Sequence, residues 1–219
     1  MTSISVDYGK TTLFSKVSLL LSLTMLISAF GTWVGSGITS VGAIIALGIV
    51  FLVGVIGVFF AAKVSPTAGV IALAAWTFVS GLFIGPCIHM YVVELGWQTV
   101  FLTYLGTGGV MALCGAIGVF SGFDFSSMGR WLMFALLGLI LVGIVAIFVP
   151  YSHTVNIVWS LVGMTVFALY FIFDFFMAKD AENTWESAIM VTMSLYLDFI
   201  NFLLYALQFL AEVMAKGED

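Results

Sequence analysis

Charge is scarce in this sequence: Asp, Glu, Lys and Arg together supply 8% of its 219 residues, against about 25% in an ordinary globular domain. With 63% of the chain hydrophobic, that scarcity excludes water as the main solvent. Positive charge is scarcest, with 6 basic against 11 acidic residues and a net charge of -5, so neither nucleic acid nor a polybasic attraction to anionic lipid is expected. Cysteine is limited to Cys87 and Cys114. Both sit inside apolar runs, where a thiol acts as a small hydrophobe rather than as a metal ligand or half of a disulfide. No repeat and no low-complexity linker divides the chain. The Gly-Thr-Gly-Gly stretch at 106 to 109 lies within an apolar run without a following Lys, which excludes a phosphate-cradling loop.

What the chain does have is length of apolar sequence. A hydrocarbon core about 30 Å thick is crossed by roughly 20 residues of helix, and seven runs of that order lie between polar breaks, at approximately 15 to 35, 41 to 62, 67 to 87, 98 to 120, 130 to 149, 155 to 178 and 187 to 211. The breaks are short, so residues 1 to 219 are expected to form a single all-α integral membrane domain of seven transmembrane helices. The first run is too long for the apolar region of a secretory signal and ends in Gly35-Ser36-Gly37-Ile38 without a cleavage pattern, so it is counted as helix one. Small residues four apart allow helices to approach closely in lipid. Gly31/Gly35, Gly81/Gly85 and Gly118/Gly122 have that spacing.

The few basic residues set an orientation. Alternating helices put Lys10, Lys16, Lys63, Arg130 and Lys179 on one side and only Lys216 on the other. The excess of positive charge marks the cytoplasmic side, so the N-terminus is expected inside and the C-terminus outside. Trp33, Trp97, Trp131 and Trp185 fall near predicted helix ends, where the headgroup layer suits an amphipathic ring. Trp76 and Trp159 lie deeper and read as packing residues. His89, Glu94 and His153 fall in predicted outer loops, where such residues are ordinarily solvated.

Nine of the eleven acids lie in termini, loops or helix ends. Asp174 and Asp198 do not: they interrupt the apolar stretches Tyr170-Phe171-Ile172-Phe173-Asp174-Phe175-Phe176 and Ser194-Leu195-Tyr196-Leu197-Asp198-Phe199-Ile200-Asn201. A charge at the bilayer centre costs about 2.5 to 3.5 kcal/mol on insertion scales, so such residues turn inward and find partners. Helices six and seven form an antiparallel hairpin about the polar stretch from Lys179 to Glu186. Each carboxyl then lies roughly 18 Å of helix rise from the turn, at similar depth. Two carboxyls facing each other in an apolar site are expected to share a proton and titrate as a coupled unit.

On helix seven, Ser194, Asp198, Asn201, Tyr205, Gln208 and Glu212 recur every three or four residues and share one face. A helix apolar elsewhere and polar along one seam belongs at the bundle centre. Ser194, Asn201, Tyr205 and Gln208 are accordingly candidate pathway-lining residues, with interhelical hydrogen bonding as the plainer alternative. Lys63, at the cytoplasmic end of helix two, is the cation placed to reach a carboxylate on helix six, although setting topology is its simpler role.

The segment from Ser194 to Asn201 resembles the seventh-helix signature of the transmembrane Bax inhibitor motif (Bax inhibitor-1) family, in a bacterial-looking version. Phe173-Asp174 falls where that family's sixth-helix aspartate lies, and Phe78-Val79-Ser80-Gly81 through Pro86 adds support. The resemblance implies helix seven at the centre of six others and a pH-sensitive calcium leak controlled by the aspartate pair, with Asp174 and Asp198 as transient calcium ligands. Calcium and protons would then be its partners besides the lipid bilayer, with no bound cofactor and a bacterial inner (plasma) membrane as its location. Relatives often carry a basic cluster after helix two and a basic loop between helices six and seven. Here those places hold only Lys63 and the mostly acidic stretch from Lys179 to Glu186.

Two other classes compete. One is a non-conducting regulator that binds a membrane protease or another membrane protein. The other is an intramembrane aspartyl protease, whose motifs need Tyr-Asp and Gly-x-Gly-Asp. This chain offers Phe173-Asp174 and Leu195-Tyr196-Leu197-Asp198, so it is not expected to be an enzyme. The orientation is directly testable. A fluorescent protein fused to the N-terminus should fold and fluoresce in a bacterial host, and alkaline phosphatase fused to the C-terminus should be active. The reverse pattern would invert the assignment.

Overall fold

The computed structural model describes residues 12–149 and 151–216. The described residues form seven helices: α1 (Leu13–Gly35), α2 (Val41–Val64), α3 (Pro66–Leu95), α4 (Trp97–Phe120), α5 (Met128–Phe148), α6 (His153–Lys179) and α7 (Trp185–Lys216). Each is long and apolar enough to cross a membrane. Lys10, used above for orientation, lies outside the described residues.

Local chemistry sets the helix ends. The hydroxyls of Thr12, Ser40 and Ser65 accept the backbone N–H groups of Ser15, Ala43 and Ala68 at 3.3, 3.4 and 3.1 Å, which satisfies donors that the first turn leaves free. Pro66 follows Ser65 at the first helical position, where its missing N–H is not needed. Gly96, at φ 82°, closes α3 and opens α4, a conformation that glycine adopts without a steric penalty. Between α4 and α5, the Ser126 N–H donates to Asp124 Oδ1 at 2.9 Å. That bond and the Ser126 hydroxyl hold the exposed Asp124 carboxyl below its ordinary range.

Two helices outrun their predicted spans. α3 continues to Leu95 rather than ending near residue 87, with Pro86 inside it, so His89 and Glu94 are helical rather than loop residues. α7 runs from Trp185 to Lys216, about 48 Å at 1.5 Å per residue, and is longer than a hydrocarbon core. Polar residues at these ends sit beyond the apolar slab, where hydropathy gives no signal that the helix persists.

α7 is the central element. It packs on α1, α2, α3, α4 and α6 and is the most buried of the seven. Its fully buried Ile189, Leu195, Tyr196 and Leu207 form the middle of the core. α5 lies at the edge and packs on α6. At one end of the bundle Lys16 Nζ donates to the Asn183 carbonyl and side-chain oxygens, both at 3.0 Å, and sits over the Trp185 ring. This ties the start of α1 to the loop between α6 and α7. Trp33, Trp97 and Trp131 are exposed, whereas Trp76 is buried with its indole N–H on the Phe51 carbonyl at 3.0 Å.

The closest backbone approach joins α1 to α3. A Cβ on Gly31 or Gly35 would lie 2.5 Å from the Phe78 or Leu82 carbonyl oxygen, and one on Gly85 would lie 2.7 Å from the Gly35 carbonyl carbon. Gly81 faces the Ser28 carbonyl at similar closeness. The two glycine pairs visible in the sequence are therefore each other's partners, as close packing in lipid favours. The third pair divides. Gly118 packs on the Ile172 carbonyl of α6, with Gly115 on the Phe175 ring, whereas Gly122, at φ 73°, belongs to the turn after α4 and faces open space.

Replacing Gly81 by Ala should lower the thermal midpoint of the detergent-solubilised protein, because overpacking costs about 1 to 3 kcal/mol. The same change at Gly57 on α2, which faces open space, should raise it slightly through helix propensity. Equal midpoints for the two variants would contradict the α1–α3 contact.

Candidate functional site: a buried carboxyl pair between α6 and α7

The hairpin of α6 and α7 brings the two aspartates together. Its register can be followed from the outer end inward. Asn156 meets Glu212, Gly163 lies under the Tyr205 ring, Phe167 stacks on Tyr205 with centroids 6.0 Å apart, and Phe171 faces Phe202 at 5.9 Å. One turn further, the Asp174 carboxyl contacts the Asp198 carboxyl, with the Ser194 hydroxyl beside it. Asp198 retains 5% of its exposure. Oδ2 of each aspartate is buried with no hydrogen-bond partner.

Orphaned oxygens of this kind are costly to bury. A pair of touching carboxyls has two ways to relieve that cost: share a proton between them, or take up a cation. Two carboxyls and a hydroxyl fall short of the six to eight oxygens of a resident calcium site. Among the described residues no cluster of three or more His, Cys, Asp or Glu supplies the remainder.

Asp174 lies only five residues before the last residue of α6, Lys179, about 7.5 Å along the helix. The roughly 18 Å expected on this side is too deep, because α6 ends at Lys179 while α7 extends beyond it. The pair therefore sits in the half of the bundle nearer the basic end. Tyr170, one turn before Asp174 on α6, is within electrostatic reach of both carboxyls.

The basic partner considered for this site is elsewhere. Lys63 Nζ lies over the Phe59 ring of its own helix at 4.1 Å, and no ion pair joins it to Asp174 among the described residues. The cause is topological: α2 packs on α3 and α7, whereas α6 packs on α4, α5 and α7.

The polar stripe of α7 is a closed seam. Ser194 and Asp198 meet Asp174, Tyr205 covers Gly163, and Glu212 accepts from Asn156 Nδ2 at 2.7 Å while Oε2 sits 2.6 Å from His153 Nδ1. His153, expected in a loop, is the first residue of α6 and clamps the outer end of the hairpin. Asn201 turns its amide back onto the Leu197 carbonyl at 2.8 Å, and Gln208 is half-buried.

One cluster escaped sequence reasoning. Tyr196, fully buried, donates its hydroxyl proton to Ser80 Oγ at 2.8 Å and pairs with the Ser28 hydroxyl at 2.6 Å. Its ring meets Trp76 edge-on at 5.4 Å. A tyrosine in an apolar run reads as packing, and its partners lie 168 and 116 residues away in sequence.

Comparison with known proteins gives the family of the chain. The family model described as "Inhibitor of apoptosis-promoting Bax1" matches residues 10–214. The chain belongs to the Bax inhibitor-1 family. Among its relatives, "Bax inhibitor 1" of Schizosaccharomyces pombe is 32% identical over 149 residues, covering 68% of this chain and 53% of that protein. The "Golgi anti-apoptotic protein" of Vaccinia virus is 33% identical over 138 residues, covering 63% and 56%. An uncharacterized protein of Helicobacter pylori is 26% identical over 179 residues, covering 78% and 75%. The matches thus span about half the length of the yeast and viral Bax inhibitor-1 relatives.

The outer clamp is open to a direct test. Glu212→Ala leaves the Asn156 amide without its acceptor and should lower the thermal midpoint by the equivalent of about 1 to 3 kcal/mol. His153→Ala, at an exposed position, should cost less. A larger loss from His153→Ala would contradict this geometry.

Proposed function

We propose that this Bax inhibitor-1 family protein is a pH-regulated calcium leak whose gate is the Asp174–Asp198 pair. The observation that carries the reading is the contact of the buried Asp198 carboxyl with the half-buried Asp174 on the facing helix, each with one buried oxygen lacking a partner. A shared proton holds α6 against α7. Losing it leaves two like charges in contact, which drives the seam apart and attracts a hard cation. The charge state of the pair thereby shifts the balance between closed and open packings. Ser194, Asn201, Tyr205 and Gln208 line the route that opens between the helices. In this reading the protein is a transporter rather than an enzyme, with its N-terminus in the cytoplasm of a bacterial cell and its C-terminus outside.

A second reading is a non-conducting regulator that binds a membrane protease or another membrane protein, and the yeast relative's name, "Bax inhibitor 1", is that of a regulator. The two readings separate in purified liposomes. Calcium entry should change with pH from about 5 to 8 for the native chain and be flat for Asp174→Asn and Asp198→Asn. Absence of calcium flux from all three, or identical flux at every pH, would eliminate the gate and leave the regulator.

A further inference from the structure

Apart from the Glu212 clamp at its far end, α7 has two polar anchors near its middle, and Asp198 is one of them. The second, two residues earlier, points to a different side: Asp198 meets α6, whereas Tyr196 reaches α1 and α3. Its cradle is prefabricated. The glycine contact presses α1 against α3 so closely that the Ser28 carbonyl lies on Gly81. Ser28 and Ser80 are thereby set side by side, both buried. The phenol fills the gap between them with one hydrogen bond given and one received, which uses its hydroxyl proton and a lone pair. Other buried hydroxyls on these helices behave differently. Thr24, Thr77, Thr107 and Thr192 donate to carbonyls of their own helix and tie nothing across the bundle. Beyond Ser28 lies a cavity of about 150 Å³ between α1, α3, α4 and α7, which Ile84, Tyr104, Ile200 and Leu203 also line. Packing beside Ser28 is therefore incomplete on the side away from the phenol.

We infer that Tyr196 is the positioning residue of the gate: its bonds to Ser28 and Ser80 hold α7 fixed on the α1–α3 unit, so that Asp198 meets Asp174 only while they are intact. This rests on the carboxyl-pair reading and adds to it the fixed frame against which the pair works. With the anchor in place, a change of charge at the pair moves α6 relative to α7. Without it, α7 is free to shift, and the closed packing loses its advantage at every pH. The titratable groups facing this region are Asp174 and Tyr170 from α6 and Tyr104 from α4. No charged group from α1 or α3 faces the anchor among the described contacts, so its strength does not itself follow pH.

Tyr196→Phe removes both bonds and keeps the ring against Trp76. In calcium-loaded liposomes it should raise flux about tenfold at the pH where the native chain leaks least, the ratio that corresponds to about 1.4 kcal/mol, and it should flatten the pH profile. Thr77→Val, which deletes an equally buried hydroxyl that bonds only within α3, should leave the profile native. If the native chain leaks and the two variants behave alike, the anchor is overturned.

A second readout does not depend on flux. With Cys87 and Cys114 replaced by Ala, spin labels at the exposed positions Leu26 on α1 and Val213 on α7 should give one narrow distance distribution in the native background. The distribution should broaden with Tyr196→Phe and stay narrow with Thr77→Val. An unchanged distribution in Tyr196→Phe overturns the anchor even if the native chain leaks. Broadening without calcium flux in any protein keeps the anchor and removes the leak.

Discussion

Two carboxyl groups pressed together inside an apolar bundle cannot both carry charge unless a proton or a cation compensates them, and the rest of this architecture follows from where that pair has to be. A helix bearing such a group cannot face lipid. That requirement turns the Asp198 face of α7 inward, and five other helices pack on α7. The same requirement explains its chemistry: polar residues along the seam toward α6, and fully buried apolar residues such as Ile189, Leu195 and Leu207 elsewhere. The stability of the bundle does not come from the pair. It comes from close packing, the glycine contacts of α1 with α3 and of α4 with α6 supplying the tightest approaches. The pair is a site of stored cost inside an otherwise well-satisfied core.

α7 is consequently held from two directions by groups of different kind. On one side lies the carboxyl contact, whose strength depends on a proton in the proposed gate. On the other, Tyr196 forms hydrogen bonds with Ser28 and Ser80. The proposed gate uses that difference, since an element moves only relative to something that stays. At the outer end, Glu212 with His153 and Asn156 closes the hairpin, so the α6–α7 seam is fastened at both ends of its polar stripe.

Much of this was legible from residues alone. Seven spans were readable because a bilayer demands some twenty apolar residues at a time, and so was the meeting of Asp174 with Asp198, because a hairpin fixes which residues face each other. Helix ends were not, because Glu94 and Glu212 lie on helix that continues past the apolar slab. Gly31/Gly35 and Gly81/Gly85 were visible as pairs but not as partners, since the spacing of small residues says that a face approaches closely and not what it approaches. Gly122 has the spacing of a packing residue and serves as a turn. That Lys63 does not meet Asp174 was not readable either, because sequence order does not reveal that α2 packs on α3 and α7 while α6 packs on α4, α5 and α7. Tyr196 was hidden by its own neighbours, one aromatic among many, its partners a hundred residues and more away.

The proposed gate requires that Asp174 and Asp198 share a proton which a cation displaces. The most direct measurement is of protons released when calcium is added to the purified, detergent-solubilised protein at neutral pH, followed with an indicator dye in weak buffer. The account predicts proton release from the native chain, saturating with calcium, and none from the Asp174→Asn/Asp198→Asn double variant. Equal release from both proteins, or none from the native chain while calcium binds, would contradict it.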